Sequence, residues 1–179
     1  MRPDDLIQYR QATSADVAAM AACRLPDADA GAADERMAAY FDGLHHPQQA
    51  LLPRVGYTAF VGDALIGYIA GHLTRRYGYE GEVQYLYVAP GHRRRGVASA
   101  LLRLLVGWFQ EQGVTRVCVN ANPDSPPAVP FYTSQGASAL NRYWYAWEDA
   151  GKVLAAGARV ECESGAANRK FGLRGYGAS

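Results

Sequence analysis

The stretch from Glu82 to Asn120 constrains the fold more than any other part of the chain. "EVQYLYV" reads as a strand, because it is short, β-branched and aromatic. After Ala89-Pro90-Gly91 a helix is expected over 96–112, with Val97, Leu101, Leu104, Leu105 and Trp108 recurring at helical spacing on its buried face. Gly113 suits the position just past its C-terminus, where a left-handed backbone closes the helix. "VTRVCVN" then reads as a second strand. A strand, a helix and a strand joined this way cross over right-handedly, which makes 83–88 and 114–119 parallel neighbours in one sheet.

The remaining segments fit around that unit. Ile7–Ala12 reads as a strand, and Thr13 or Ser14 caps an alanine-rich helix bearing Val17, Met20 and Ala21. "PDADAGAAD" reads as a loop, "ERMAAYFDGL" as a second helix and "HHPQQALLPR" as a connection. "VGYTAFV" and "ALIGYIAGHLT" form a hairpin through the Gly62-Asp63 turn. A short helix ends at Gly136, and "RYWYAWED" supplies the last strand. The expected class is α/β: a mixed, mostly antiparallel sheet with a central parallel pair, flanked by helices. Residues 1–150 form the domain, and 151–179 form a Gly/Ala/Ser-rich tail, mobile or partly docked.

Bulk properties remove several function classes. A net charge of +1 over 179 residues gives no global attraction to nucleic acid or to an anionic membrane surface. No apolar run reaches the roughly 18 residues of a membrane span. Cys23, Cys118 and Cys162 are odd in number and lack metal-ligand spacing, so free thiols, a reducing compartment and no metal are expected. The start, "MRPDDLIQYR", has no apolar signal region, so a cytoplasmic location is expected.

One placement demands an explanation. Arg93, Arg94 and Arg95 stand where a helix begins, although the macrodipole disfavours cations there. Small residues follow at Gly96 and Ala98, and the first amides of a helix are orphan donors. An anion bound at this corner resolves the conflict, with the amides as its cradle and the arginines adding charge-assisted contacts. Neither a G-x-x-x-x-G-K-[ST] loop nor a G-x-G-x-x-G after a strand occurs elsewhere.

In context, "EVQYLYVAPGHRRRGVASALL" resembles the acetyl-CoA-binding core of the GNAT family of N-acetyltransferases. Arg93, Gly96 and Ala98 match its Gln/Arg-x-x-Gly-x-Gly/Ala signature, and Leu86, Val88 and Pro90 match the upstream L-x-V-x-P strand. "AVPFYTSQGA" is similar to its A-x-x-(F/L)-Y-x-x-x-G helix, and the element order agrees from about residue 7 to 149. The resemblance implies that the parallel strands splay apart. It implies that the backbone of Leu86, Tyr87 and Val88 pairs with the pantetheine arm, and that the loop and helix start at Arg93, Arg94, Arg95, Gly96, Val97, Ala98 and Ser99 hold the diphosphate. It implies transfer of an acetyl group from acetyl-CoA to a small-molecule or peptide amine, directly in a ternary complex, with a main-chain N–H near 86–88 on the developing oxyanion. Tyr132 takes the place of the general acid. Glu82 takes that of a base acting through water, and period-two alternation puts it on one face with Gln84, Leu86 and Val88. Ser125 stands where the family often has asparagine, as a helix cap reaching the pantetheine. The rival reading is a non-catalytic acyl-CoA sensor, towards which Asn120, Ser125 and Pro130 lean, Pro130 because it crowds a helix interior.

Other residues carry weaker readings. His45, Tyr57 and His72 are candidates for the acceptor side. The aromatic strand "RYWYAWED" suits the core, a dimer contact or an aromatic wall for the acceptor. Arg75–Tyr79 reads as a solvated loop that could meet an acidic acceptor, and Cys118 as a buried strand cysteine rather than an acyl carrier.

Overall fold

The computed structural model describes residues 6–24, 30–123 and 128–156. Its sheet has seven strands in the order β1-β2-β3-β4-β5-β7-β6. They are β1 (Ile7–Gln11), β2 (Ala50–Val61), β3 (Ala64–Thr74), β4 (Gly81–Val88), β5 (Val117–Asn120), β6 (Ser138–Ala139) and β7 (Trp144–Trp147). Every neighbouring pair is antiparallel except β4 and β5. The mixed sheet and its central parallel pair are thus as the sequence implies.

Five helices accompany the sheet among the described residues: α1 (Val17–Arg24), α2 (Ala30–Phe41), α3 (Val97–Glu111), α4 (Ala128–Ser134) and α5 (Gly151–Ala155). The crossover helix α3 packs on one face. Leu101, Leu102, Leu105, Val106 and Phe109 are wholly buried there with Val83, Val88, Val117 and Val119. Each such side chain contributes about 1.5–3 kcal/mol relative to exposure. Leu104 and Trp108, expected inside, are only half-buried; the stripe is rotated towards Leu102, Val106 and Phe109. The helix lies close to the sheet because Gly81 has no side chain. A Cβ there would stand 2.7 Å from the Phe109 ring. On the opposite face Val17, Met20, Met37, Tyr40 and Phe41 of α1 and α2 pack with Tyr68 and Ala70 of β3.

Several boundaries differ from the sequence reading. Helix α2 begins at Ala30, inside the supposed loop, because its first turns are carried by alanine, the best helix former. Strand β2 begins at Ala50 and runs through Pro53, which the register accommodates by a shift between Leu51 and Arg54. The sheet gains the short β6, and Gly151–Ala155, the start of the segment read as a mobile or partly docked tail, is a helical turn with Val153 buried in the α3 core.

Candidate active site

The parallel pairing that defines the centre of the sheet is short. Gly81–Val83 pair with Val117–Val119, and there the contact between β4 and β5 ends. β4 continues for five more residues, still paired to β3 on its other edge. The strands therefore diverge, and a cleft of about 530 Å³ opens between Leu86 on one side and Asn120, Ala121 and Tyr132 on the other.

One wall of the cleft departs from simple alternation. Tyr85 pairs with Ala70 and Val83 pairs with Gly71, so Gln84 is a β-bulge with no opposite residue. Side-chain parity inverts across it. Val83, Leu86 and Val88 face α3, whereas Tyr85 and Tyr87 face the α1–α2 side. Glu82 also lies on the α1–α2 side, opposite His72 of β3 and Cys118 of β5. The expectation that Glu82 shares a face with Leu86 and Val88 is thereby corrected.

Glu82 is buried and lines the cleft. Its Oε2 accepts from Thr74 Oγ1 at 3.1 Å and Arg76 Nε at 3.0 Å, with His72 Nε2 at 3.7 Å. Its Oε1 has no partner among the described residues and is not sealed from the cleft. Burial alone raises the carboxyl pKa; His72 and Arg76 outweigh it and hold Glu82 below the ordinary range. The group is a fixed carboxylate with one oxygen tied down and one left over. Behind it, the wholly buried His72 meets the Tyr40 hydroxyl through Nδ1 at 2.9 Å. His72 thus supports the cleft wall and does not line it.

Tyr132 enters from the opposite side. Helix α4 runs through Pro130 without interruption, because Pro130 is its third residue and the N–H it lacks would have no intrahelical acceptor. The Tyr132 ring packs edge-on to Phe131 and Trp147, with centroids at 5.2 and 5.9 Å. Its hydroxyl has no partner among the described residues and borders the cleft. Burial pushes its phenol well above the ordinary value, so the group is protonated throughout the neutral range.

The start of α3 has the form of an anion cradle. The first hydrogen bond of the helix runs from the Ala100 N–H to the Gly96 carbonyl at 2.9 Å. No acceptor among the described residues takes the main-chain N–H groups of Arg94, Arg95, Gly96, Val97, Ala98 or Ser99. Gly96 holds φ +81°, and a Cβ placed on it would meet nothing within 4 Å. Arg94 also adopts a left-handed backbone, φ +60°, which costs a non-glycine residue about 1–2 kcal/mol. The open space, the free amides and the maintained strain together fit a diphosphate. Arg93 differs from Arg94 and Arg95 in being committed: its Nε donates to the Val88 carbonyl at 2.9 Å and ties the loop to the end of β4. Ser125 lies outside the described residues.

The weaker candidates separate. His45 accepts through its carbonyl, and His46 through Nδ1, from the buried Arg54 guanidinium, so that loop is structural. Tyr57 packs against the α3 core. Burial pushes the Cys118 thiol up to about 12, with the Glu82 charge adding to it, which leaves no thiolate for acyl transfer. Among the described residues no group of acidic, histidine and cysteine side chains could hold a metal, and no helix is long and apolar enough to cross a membrane. The wall that sequence reasoning only partly found is aromatic: Tyr68, Tyr85, Tyr87 and Trp144. Its legible signal is the alternation of Tyr85 and Tyr87 on β4, since Tyr68 is the hairpin partner of Tyr87.

Known proteins share this fold. The chain resembles a GNAT-family protein from Desulfovibrio desulfuricans, with a TM-score of 0.62 at 18% identity over 80% of this chain and 99% of that one. It resembles an acetyltransferase from Clostridium acetobutylicum, solved with acetyl-CoA, with a TM-score of 0.59 at 20% identity over 77% and 94% of the two chains. The PaiA N-acetyltransferase of Thermoplasma acidophilum, in complex with coenzyme A, gives 0.57 at 13% identity over 79% and 98%. No match is found among curated proteins. Identities this low establish a common fold, and the sequence itself goes further: the family model for acetyltransferases of the GNAT type matches residues 18–137, a span that includes the splay, the arginine loop and Tyr132. By that match the chain belongs to the acetyltransferase (GNAT) family.

Proposed function

We propose that the protein transfers an acetyl group from acetyl-CoA to a primary amine by direct attack within a ternary complex. The observation that carries this reading is the early end of the β4–β5 pairing, which opens a cleft bordered by the Tyr132 hydroxyl and the free Oε1 of Glu82. The free edge of Leu86–Val88 offers main-chain groups to an extended, amide-bearing arm, as an added strand does. The amides of Arg94–Ser99, with the exposed Arg94 and Arg95 beside them, hold the diphosphate. The bound thioester supplies an activated acetyl group.

The proton balance assigns the side chains. The nitrogen–carbon bond forms as the carbon–sulfur bond breaks; starting from the ammonium, nitrogen loses two protons, one to solvent before attack and one after it, and sulfur gains one. An alkylammonium has a pKa of about 10 and must lose a proton before it attacks. Glu82 is too weak a base to hold that proton. Its Oε1 instead orients the ammonium and the water that carries the proton away. Tyr132 donates a hydrogen bond to the departing sulfur and passes it a proton, and the proton lost by nitrogen after attack restores the phenol, so no phenolate is left in the buried site. The rival reading, a non-catalytic acyl-CoA sensor, differs in expecting CoA binding without turnover.

The test is thiol release from acetyl-CoA across a panel of amines, with wild type and Tyr132→Phe. We expect turnover with at least one amine, and a fall in kcat of about 10²–10⁴-fold in the variant with CoA affinity retained. Tight CoA binding without turnover of any amine refutes the transfer reading. Undiminished kcat in Tyr132→Phe refutes the assignment of the acid.

A further inference from the structure

The cleft has two sides, set by the inverted parity of β4. The side towards α3 carries the cofactor elements. The other side is walled by Tyr68, Tyr85, Tyr87 and Trp144, with Pro47 at its margin. The half-buried Tyr87 stacks on the wholly buried Tyr68 at 5.8 Å with planes 24° apart, which holds the Tyr87 ring in place. Trp144 is braced from two directions: the Arg76 guanidinium lies 4.3 Å over its ring, and Tyr77 packs edge-on at 5.7 Å. These rings are fixed by packing on their own neighbours.

The charge in this half is as informative as the rings. Among the described residues lining the cleft, the charged side chains are Glu82 and Arg76, and they are paired with each other at 3.0 Å. Arg76 is further committed to the Gln48 carbonyl. The described lining is therefore neutral overall, with one unclaimed carboxylate oxygen. That oxygen can accept from one ammonium group. A second cation on the acceptor finds no counter-charge among the described lining residues, and the Arg76 donors to Glu82 and the Gln48 carbonyl are already in use.

Resting on the transfer reading above, we infer that the acceptor is a monoamine carried on a planar aromatic body, with no second cation and no carboxylate. The ring inserts between the tyrosine surface and Trp144, and the amine reaches Glu82 Oε1. Offset and edge-to-face contacts suit an aromatic guest better than a saturated one. The neutral lining sets this acceptor apart from polyamines, amino acids and basic peptide segments.

The experiment compares kcat/KM for 2-phenylethylamine, phenylalanine, spermidine and glucosamine, with acetyl-CoA saturating. We expect 2-phenylethylamine to lead each of the others by about tenfold or more. Trp144→Ala is expected to raise KM for 2-phenylethylamine by about tenfold, and Trp144→Phe to restore most of the loss. Acetyl-CoA affinity of both variants reports that they are folded. If spermidine, phenylalanine or glucosamine leads, the inference falls while the transfer reading stands. Equal KM for 2-phenylethylamine in folded Trp144→Ala also overturns it. If no amine is turned over, the transfer reading fails and this inference fails with it.

Discussion

Replacing Gly96 by valine separates backbone strain from ligand contact. The residue holds φ +81°, so any side chain there pays the left-handed cost of about 1–2 kcal/mol. A new Cβ meets no protein atom within 4 Å, so no clash is added to the strain. For a chain of this size each kcal/mol lowers Tm by about 2–4 °C, which gives an expected loss of about 2–8 °C. The valine side chain enters the open space beside Gly96, which the diphosphate reading gives to the ligand. Losing a single hydrogen bond to a charged partner costs about 1.5–3 kcal/mol. That corresponds to a CoA affinity weakened about ten- to a hundredfold. Gly113 provides the control. It lies at the other end of α3 with φ +75° and equally open surroundings, so Gly113→Val carries the strain without touching the cradle. Titration calorimetry with CoA and thermal unfolding on both variants check the argument. Similar Tm losses with affinity lost only in Gly96→Val are expected; unchanged affinity in a folded Gly96→Val refutes the diphosphate site.

Two further outcomes follow from packing and charge. Gly81→Ala forces a Cβ to within 2.7 Å of the Phe109 ring, and overpacking of this kind should destabilise the fold by about 1–3 kcal/mol in denaturant unfolding. Glu82→Gln removes a buried carboxylate from Thr74 and Arg76, with an expected loss of about 1–3 kcal/mol at pH 7. Because the folded pKa of Glu82 lies below its ordinary value, the stabilisation is present above the ordinary glutamate range and lost as pH falls through the folded pKa. The Tm difference between wild type and Glu82→Gln should therefore narrow on acidification below about pH 4.5; a constant difference contradicts the ion pair.

Much of the fold is written in local pattern. α3 and its flanking strands are legible because fifteen residues of helical periodicity sit between two β-rich runs, and handedness then forces the parallel pair. The Gly62-Asp63 turn and the β3 boundaries are legible for the same reason: each is a local signal, with Gly62 at φ +56°. What escaped depends on distant partners. Arg54 ends the segment read as a connection, yet it is a buried residue of β2 and donates to the Tyr40 and His45 carbonyls, because the loop after α2 folds back over β2. β6 has only two residues and exists because β7 lies beside it.

The bulge at Gln84 is the hardest feature to read and the most consequential. Nothing in "EVQYLYV" marks it, since a bulge is a mismatch between two strands and not a property of one. Without it, alternation would bring Glu82 to the α3 face, among Leu86 and Val88, far from His72 and Arg76. With it, one strand serves both halves of the proposed transfer. Its far end keeps Leu86 and Val88 packed under α3, and its near end places a carboxylate on the aromatic side. The extra residue sits where the pairing with β5 stops, one position after Val83. The splay and the change of face therefore coincide in the chain. That coincidence sets a carboxylate and an aromatic pair on one side of the cleft and Leu86 and Val88 on the other.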